Sequence, residues 1–125
     1  MSRPPNRVLV VDDEVEVANF VSAVLRKNHF EAWVLDDPQL ARKKAEELRP
    51  DLILLDFYMP KMLGSELAML LRGSPGLSDI PIVFMSGLTD ADHRTIAAAS
   101  GGVVFLEKPL GEAPLMACVR KVLGP

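Results

Sequence analysis

The feature that most constrains this chain is the run Asp51-Leu52-Ile53-Leu54-Leu55-Asp56. Four consecutive aliphatic residues between two carboxylates read as a strand covered on both faces, as in a parallel sheet. A carboxylate that closes such a strand must stand where the sheet opens to solvent, or it needs a buried partner. In open α/β sheets ligands bind at that edge, outside the carboxyl ends of the strands. A second apolar run, Arg7-Val8-Leu9-Val10-Val11, ends in Asp12-Asp13 in the same way. Two strands thus bring Asp12, Asp13 and Asp56 to one edge. Like charges so placed repel, and a bound cation relieves them. Oxygen-only ligands select Mg²⁺ or a similar hard ion.

Strand-like runs at Val8–Val11, Ala32–Leu35, Leu52–Leu55, Ile82–Met85 and Val103–Leu106 alternate with amphipathic segments. The first of these, Glu14–Lys27, repeats Val17, Ala18, Val21, Val24 and Leu25 at helical spacing, and Asn28 reads as its left-handed cap. Pro38–Leu48 reads as a second helix, with Asp37 as N-cap and Pro38 in the first turn. Ser65–Leu71 is a third. A fourth starts at Asp90 and fades at Ser100-Gly101-Gly102, and Leu115–Leu123 forms most of a fifth, with Pro114 tolerated early in it. Short connections between alternating strands and helices imply parallel strands joined by right-handed crossovers. The expected fold is α/β, a doubly wound five-stranded parallel sheet.

The 125 residues suit one domain over 1–125, and 49% hydrophobic residues exclude a disordered chain. A net charge of −3 supplies no basic face for direct nucleic-acid binding. The single cysteine, Cys118, precludes an internal disulfide and fits a reducing compartment. No apolar stretch is long enough for a membrane span, and the lead Met1–Asn6 lacks the apolar centre of a signal peptide, so a cytoplasmic location is expected. That lead is expected of a natural N-terminus, although a stand-alone protein and a piece of a longer one both fit the sequence.

The chain resembles the receiver domain of two-component response regulators, the CheY-like, flavodoxin-like fold. The residues that carry the resemblance are Asp12-Asp13 after the first strand, Asp56 after the third, Met59-Pro60 just beyond it, Ser86 after the fourth strand and Lys108-Pro109 after the fifth. Each signal alone is weak; the five in this order are specific, and they cover the whole chain. The resemblance implies strand order 2-1-3-4-5, which sets the switch point between the first and third strands. It implies Asp56 as phosphoacceptor, with Mg²⁺ held by Asp13, Asp56, the main-chain carbonyl of Tyr58 and, through water, Asp12. It also implies Lys108 and Ser86 on the phosphoryl oxygens, a cis Lys108–Pro109 bond, and Ser86 and Phe105 as the switch pair. Chemically, a carboxylate that accepts a phosphoryl group acts as a nucleophile, and the transfer needs mainly positioning and charge neutralisation.

Several positions depart from the common pattern, among them Ser86, where Thr is also common. Phe105 lacks the hydroxyl of the more usual Tyr, so any coupling through it must come from packing. Leu63 stands where many relatives carry an acid before Gly64, which bears on stability. Tyr58 and Leu88 are bulky and lack a carboxylate or amide to orient water, which implies slow autodephosphorylation. The implied partners are a histidine kinase or phosphotransfer protein and an output protein reached through the fourth helix, the fifth strand and the last helix. Phosphorylation-dependent dimerisation is compatible with the family. The protein is read as a switch that catalyses its own phosphorylation and not as a turnover enzyme. Two rivals stand beside it. A phosphatase using an aspartyl phosphate would need a second acid where Tyr58 stands, and a cap domain for which there is no room. A non-phosphorylated pseudo-receiver would act only as a protein-interaction module, against which the complete Asp12, Asp13, Asp56, Ser86 and Lys108 set argues.

Overall fold

Every residue of Leu52–Asp56 is buried, as its apolar run requires of a strand with neighbours on both edges and cover on both faces. The computed structural model describes residues 6–87 and 104–124. In chain order the elements are β1 (Arg7–Val11), α1 (Val15–Lys27), β2 (Glu31–Leu35), a 3₁₀ turn (Pro38–Leu40), α2 (Ala41–Leu48), β3 (Leu52–Asp56), α3 (Gly64–Arg72), β4 (Ile82–Ser86), β5 (Val104–Glu107) and α4 (Glu112–Leu123). The strands are all parallel in the order β2-β1-β3-β4-β5, as expected.

Alternation along each strand splits the apolar residues between the two faces of the sheet. Val8, Val10, Leu52, Leu54, Val83 and Met85 meet Val21, Val24 and Leu25 of α1 and Leu115, Met116 and Val119 of α4. Leu9, Val11, Ile53, Leu55, Ile82 and Phe84 meet Ala41 and Ala45 of α2 and Leu67 and Leu71 of α3. This is why the strand sequences are continuously apolar: neither face is spared for water. The edge strands β2 and β5 are the exposed exceptions, with Val34 39% and Val104 44% exposed.

Three sequence expectations need adjustment. Asn28 is not left-handed (φ −98°); the positive φ falls on His29, at 70°. The Asn28 side-chain amide donates to the Val24 carbonyl at 2.8 Å and its backbone N–H to Val24 and Leu25, so it extends the last turn and the reversal comes one residue later. The Pro38–Leu48 helix divides into the 3₁₀ turn and α2, although Asp37 does cap the start, accepting the Gln39 N–H at 3.0 Å. α4 begins at Glu112, three residues earlier than the Leu115 start; Pro114 is tolerated because the N–H it lacks would have no intrahelical acceptor there. The helix expected from Asp90, with Leu88, His93 and Val103, lies outside the described residues.

Candidate functional site

The register builds the site. Val11 of β1 pairs with Leu55 of β3, so Asp12 and Asp56 follow side by side at the centre of the sheet. The chain stays pinned as it leaves each strand. Asp12 N–H donates to the Leu35 carbonyl at 3.0 Å, Phe57 N–H to Met85 at 3.0 Å and Lys108 N–H to Ser86 at 2.8 Å. Asp12, Asp56 and Ser86 are all buried, at 0%, 4% and 2% exposure. One carboxylate oxygen from each of Asp12, Asp13 and Asp56 lies within 4.8 Å of the others.

Lys108 reaches this cluster from beyond β5. The Lys108–Pro109 bond is cis, as the resemblance implied. Its Nζ donates to Glu14 Oε1 at 2.9 Å and to Asp56 Oδ1 at 3.2 Å, and stands 3.3 Å from Asp12 Oδ2. Asp12 Oδ1 accepts the Glu14 N–H at 2.8 Å. Asp12 Oδ2 is fully buried and accepts no hydrogen bond. A buried carboxylate whose Oδ2 has only the Lys108 ammonium, 3.3 Å away, clustered with two further carboxylates, is a donor set suited to a hard divalent cation. The Asp12, Asp13 and Asp56 side chains therefore fit Mg²⁺.

Electrostatics follow from this crowding. Burial pushes the Asp56 carboxyl up to about 7; the neighbouring Asp12 charge and a hydrogen bond with Asp13 add to the rise, and Lys108 opposes it. Burial likewise raises Asp12, against the Glu14 N–H and Lys108. Burial works against the Lys108 charge, but the hydrogen bond to Glu14 and the carboxylates of Asp12 and Asp56 outweigh it and push its pKa up.

Sequence reasoning missed two sets of residues here. Glu14, read only as the first helical residue, is the nearest partner of Lys108; the third consecutive acid in Asp12-Asp13-Glu14 was the available signal. Phe57, next to Asp56, and Phe84 form a chain of rings ending at Phe105. The ring centroids of Phe57 and Phe84 are 5.4 Å apart, those of Phe84 and Phe105 5.5 Å, and those of Phe57 and Phe105 6.4 Å. Tyr58 is 58% exposed and sets its ring edge-on to Phe57 at 5.1 Å.

The family model of the response regulator receiver domain matches residues 8–120. The chain belongs to that family. This receiver domain is 37% identical over 114 residues to the DNA-binding response regulator MtrA of Mycobacterium tuberculosis, covering 91% of this chain and 49% of that protein. It is 33% identical over 114 residues to an uncharacterized 76.5 kDa protein of Thiocystis violacea, covering 91% of this chain and 16% of that one. The receiver therefore spans about half, or less, of the length of these curated relatives. Among solved structures, the chemotaxis protein CheY4 of Vibrio cholerae superposes with a TM-score of 0.87 at 29% identity, covering 94% of this chain and 98% of that one. These likenesses place the receiver in two-component signal transduction. Among the described residues no helix is long and apolar enough to cross a membrane.

Proposed function

We propose that this receiver accepts a phosphoryl group on Asp56 from the phosphohistidine of a kinase or phosphotransfer protein, and that the adduct switches a partner-binding face. The observation that carries the reading is the convergence of Asp12, Asp13, Asp56 and Lys108 on one buried point at the centre of the sheet. Mg²⁺ held by Asp13, Asp56 and the Tyr58 carbonyl and, through water, by Asp12 would supply positive charge to the phosphoryl oxygens. A carboxylate oxygen of Asp56 forms the new bond to phosphorus while the bond to the imidazole nitrogen breaks. The nitrogen keeps the electron pair and the acyl phosphate remains on Asp56. Lys108 supplies a second positive charge, and the Ser86 hydroxyl donates to a phosphoryl oxygen. These groups position and neutralise; no general base is required.

The donor has to lay its phosphohistidine against Asp56, so its footprint includes the rim of the site. An apolar groove of about 230 Å³ lined by Glu16, Val17, Phe20, Lys108, Pro109 and Leu110 adjoins that rim. The signal leaves along the ring chain from Phe57 to Phe105 on the exposed edge strand β5. Output through β5, α4 and the segment before β5 is consistent with that path. The domain acts as a switch and not as a turnover enzyme.

Intact mass after incubation with acetyl phosphate and Mg²⁺ tests the reading. One added phosphoryl group, lost in Asp56→Asn and without Mg²⁺, is expected. An intact fold that binds Mg²⁺ but takes up neither phosphate nor beryllofluoride would leave only a protein-interaction module.

A further inference from the structure

Three carboxylates share the Lys108 ammonium, and they differ in depth. The Asp12 side chain is 0% exposed, Asp56 5% and Glu14 60%. The shortest contact, 2.9 Å, is to the outermost of the three. Asp56 is next at 3.2 Å, and Asp12 lies at 3.3 Å without a hydrogen bond. Glu14 occupies the N-cap position of α1 with extended backbone (φ −86°, ψ 104°), but its side chain caps nothing. Ser, Thr, Asn or Asp would serve that end of the helix better. The backbone N–H of Glu14 is tied to Asp12, which fixes its Cα at the mouth of the site and leaves the carboxylate free to reach Lys108.

We propose that Glu14 is a positioning residue for Lys108: it holds the ammonium at the rim of the site and competes for it with the phosphoryl group. The inference rests on the phosphoacceptor reading above. The argument is one of competing acceptors. A cation shared by Asp12, Asp13 and Asp56 neutralises two of the three partners of Lys108, and Glu14 is then the strongest acceptor left to it. The ammonium already lies 3.2 Å from Asp56 Oδ1, so phosphoryl oxygens on Asp56 must share it with Glu14. Glu14 thereby lowers the affinity of the site for phosphoryl groups. An exposed ion pair is a weak restraint, so the effect is graded and not a block.

The test uses the whole chain at saturating Mg²⁺, with two readouts: the rate of phosphorylation by acetyl phosphate and the Kd for beryllofluoride. Glu14→Gln and Glu14→Ala are made alone and on a Lys108→Met background. Thermal melting confirms that each variant is folded. Both single variants are expected to react about threefold faster and to bind beryllofluoride about threefold more tightly, the scale of an exposed ion pair. On the Lys108→Met background the same changes are expected to do nothing. Unchanged or slower reaction in the single variants overturns the proposal. So does an equal gain on the Lys108→Met background, which would mean that Glu14 merely repels anionic donors. If the wild-type chain itself takes up neither phosphate nor beryllofluoride, the phosphoacceptor reading fails and this one falls with it. That result is told apart because it appears before any variant is compared.

Discussion

Asp56 carries a conflict between burial and charge that should be visible in its titration. Its carboxyl is raised from 3.8 to about 7, so the folded chain holds a proton there that the unfolded chain has already released. Below about pH 4 both states are protonated and this group costs the fold nothing. As pH rises toward 7 the unfolded state gains by ionising, so stability falls. Urea titrations of the metal-free protein should show a loss on the order of a few kcal/mol across that window, flattened in Asp56→Asn. A profile equally steep in the variant would refute the assignment. Cation binding needs the ionised form, so Mg²⁺ affinity should fall as pH drops below about 7, with proton release detectable by calorimetry in buffers of different ionisation enthalpy. Tyr58, exposed beside the acceptor, carries neither a carboxylate nor an amide to orient water; Tyr58→Asn should shorten the lifetime of the acyl phosphate, read by mass against time. At this scale the sequence was explicit about carboxylates at strand ends. It marked Glu14 only as a third consecutive acid and not as a partner of Lys108, because a side-chain reach across 94 positions has no local pattern.

Among the elements, α3 starts with only half of a cap. Leu63 is its N-cap, with extended backbone (φ −67°, ψ 147°) and no side chain able to cap. Glu66 meets one need by accepting the Leu63 N–H at 3.1 Å. Leu63→Asp should therefore add about 1 kcal/mol to the unfolding free energy while leaving phosphorylation unchanged. The next residue tolerates no such change. A Cβ on Gly64 would lie 2.6 Å from the Asp56 carbonyl oxygen and 2.8 Å from Phe57 Cα. Gly64→Ala should displace the loop that follows Asp56, weakening Mg²⁺ binding measured calorimetrically as well as lowering stability. Strand positions were legible because β1, β3 and β4 are buried along nearly their whole length. Helix ends were less so. Asn28 and His29 differ by which groups find acceptors, and the 3₁₀ turn before α2 depends on how Asp37 and Pro38 pack, none of which a hydrophobic period encodes.

For the molecule as a whole, the doubly wound arrangement was legible because each central strand divides its apolar residues between two cores. The strand order was not. The apolar runs of β1, β3 and β4 are interchangeable by pattern, and only the acidic ends and the family resemblance distinguished them. Burial on both faces also leaves little tolerance in the centre. Leu54, fully buried among Val10, Val83 and their neighbours, should cost about 2–5 kcal/mol on truncation to Ala, measured by chemical denaturation. One further consequence follows from the backbone bonds of Asp12, Phe57 and Lys108 to Leu35, Met85 and Ser86. Each continues the sheet ladder one step past its strand, where chains ordinarily begin to fray. The three amides should then exchange with solvent deuterium on the slow clock of the central strands and not on the fast clock of surface loops. The chemistry would sit on the part of the protein that opens least often, and the motions of signalling would have to be carried by side chains and by the elements around it.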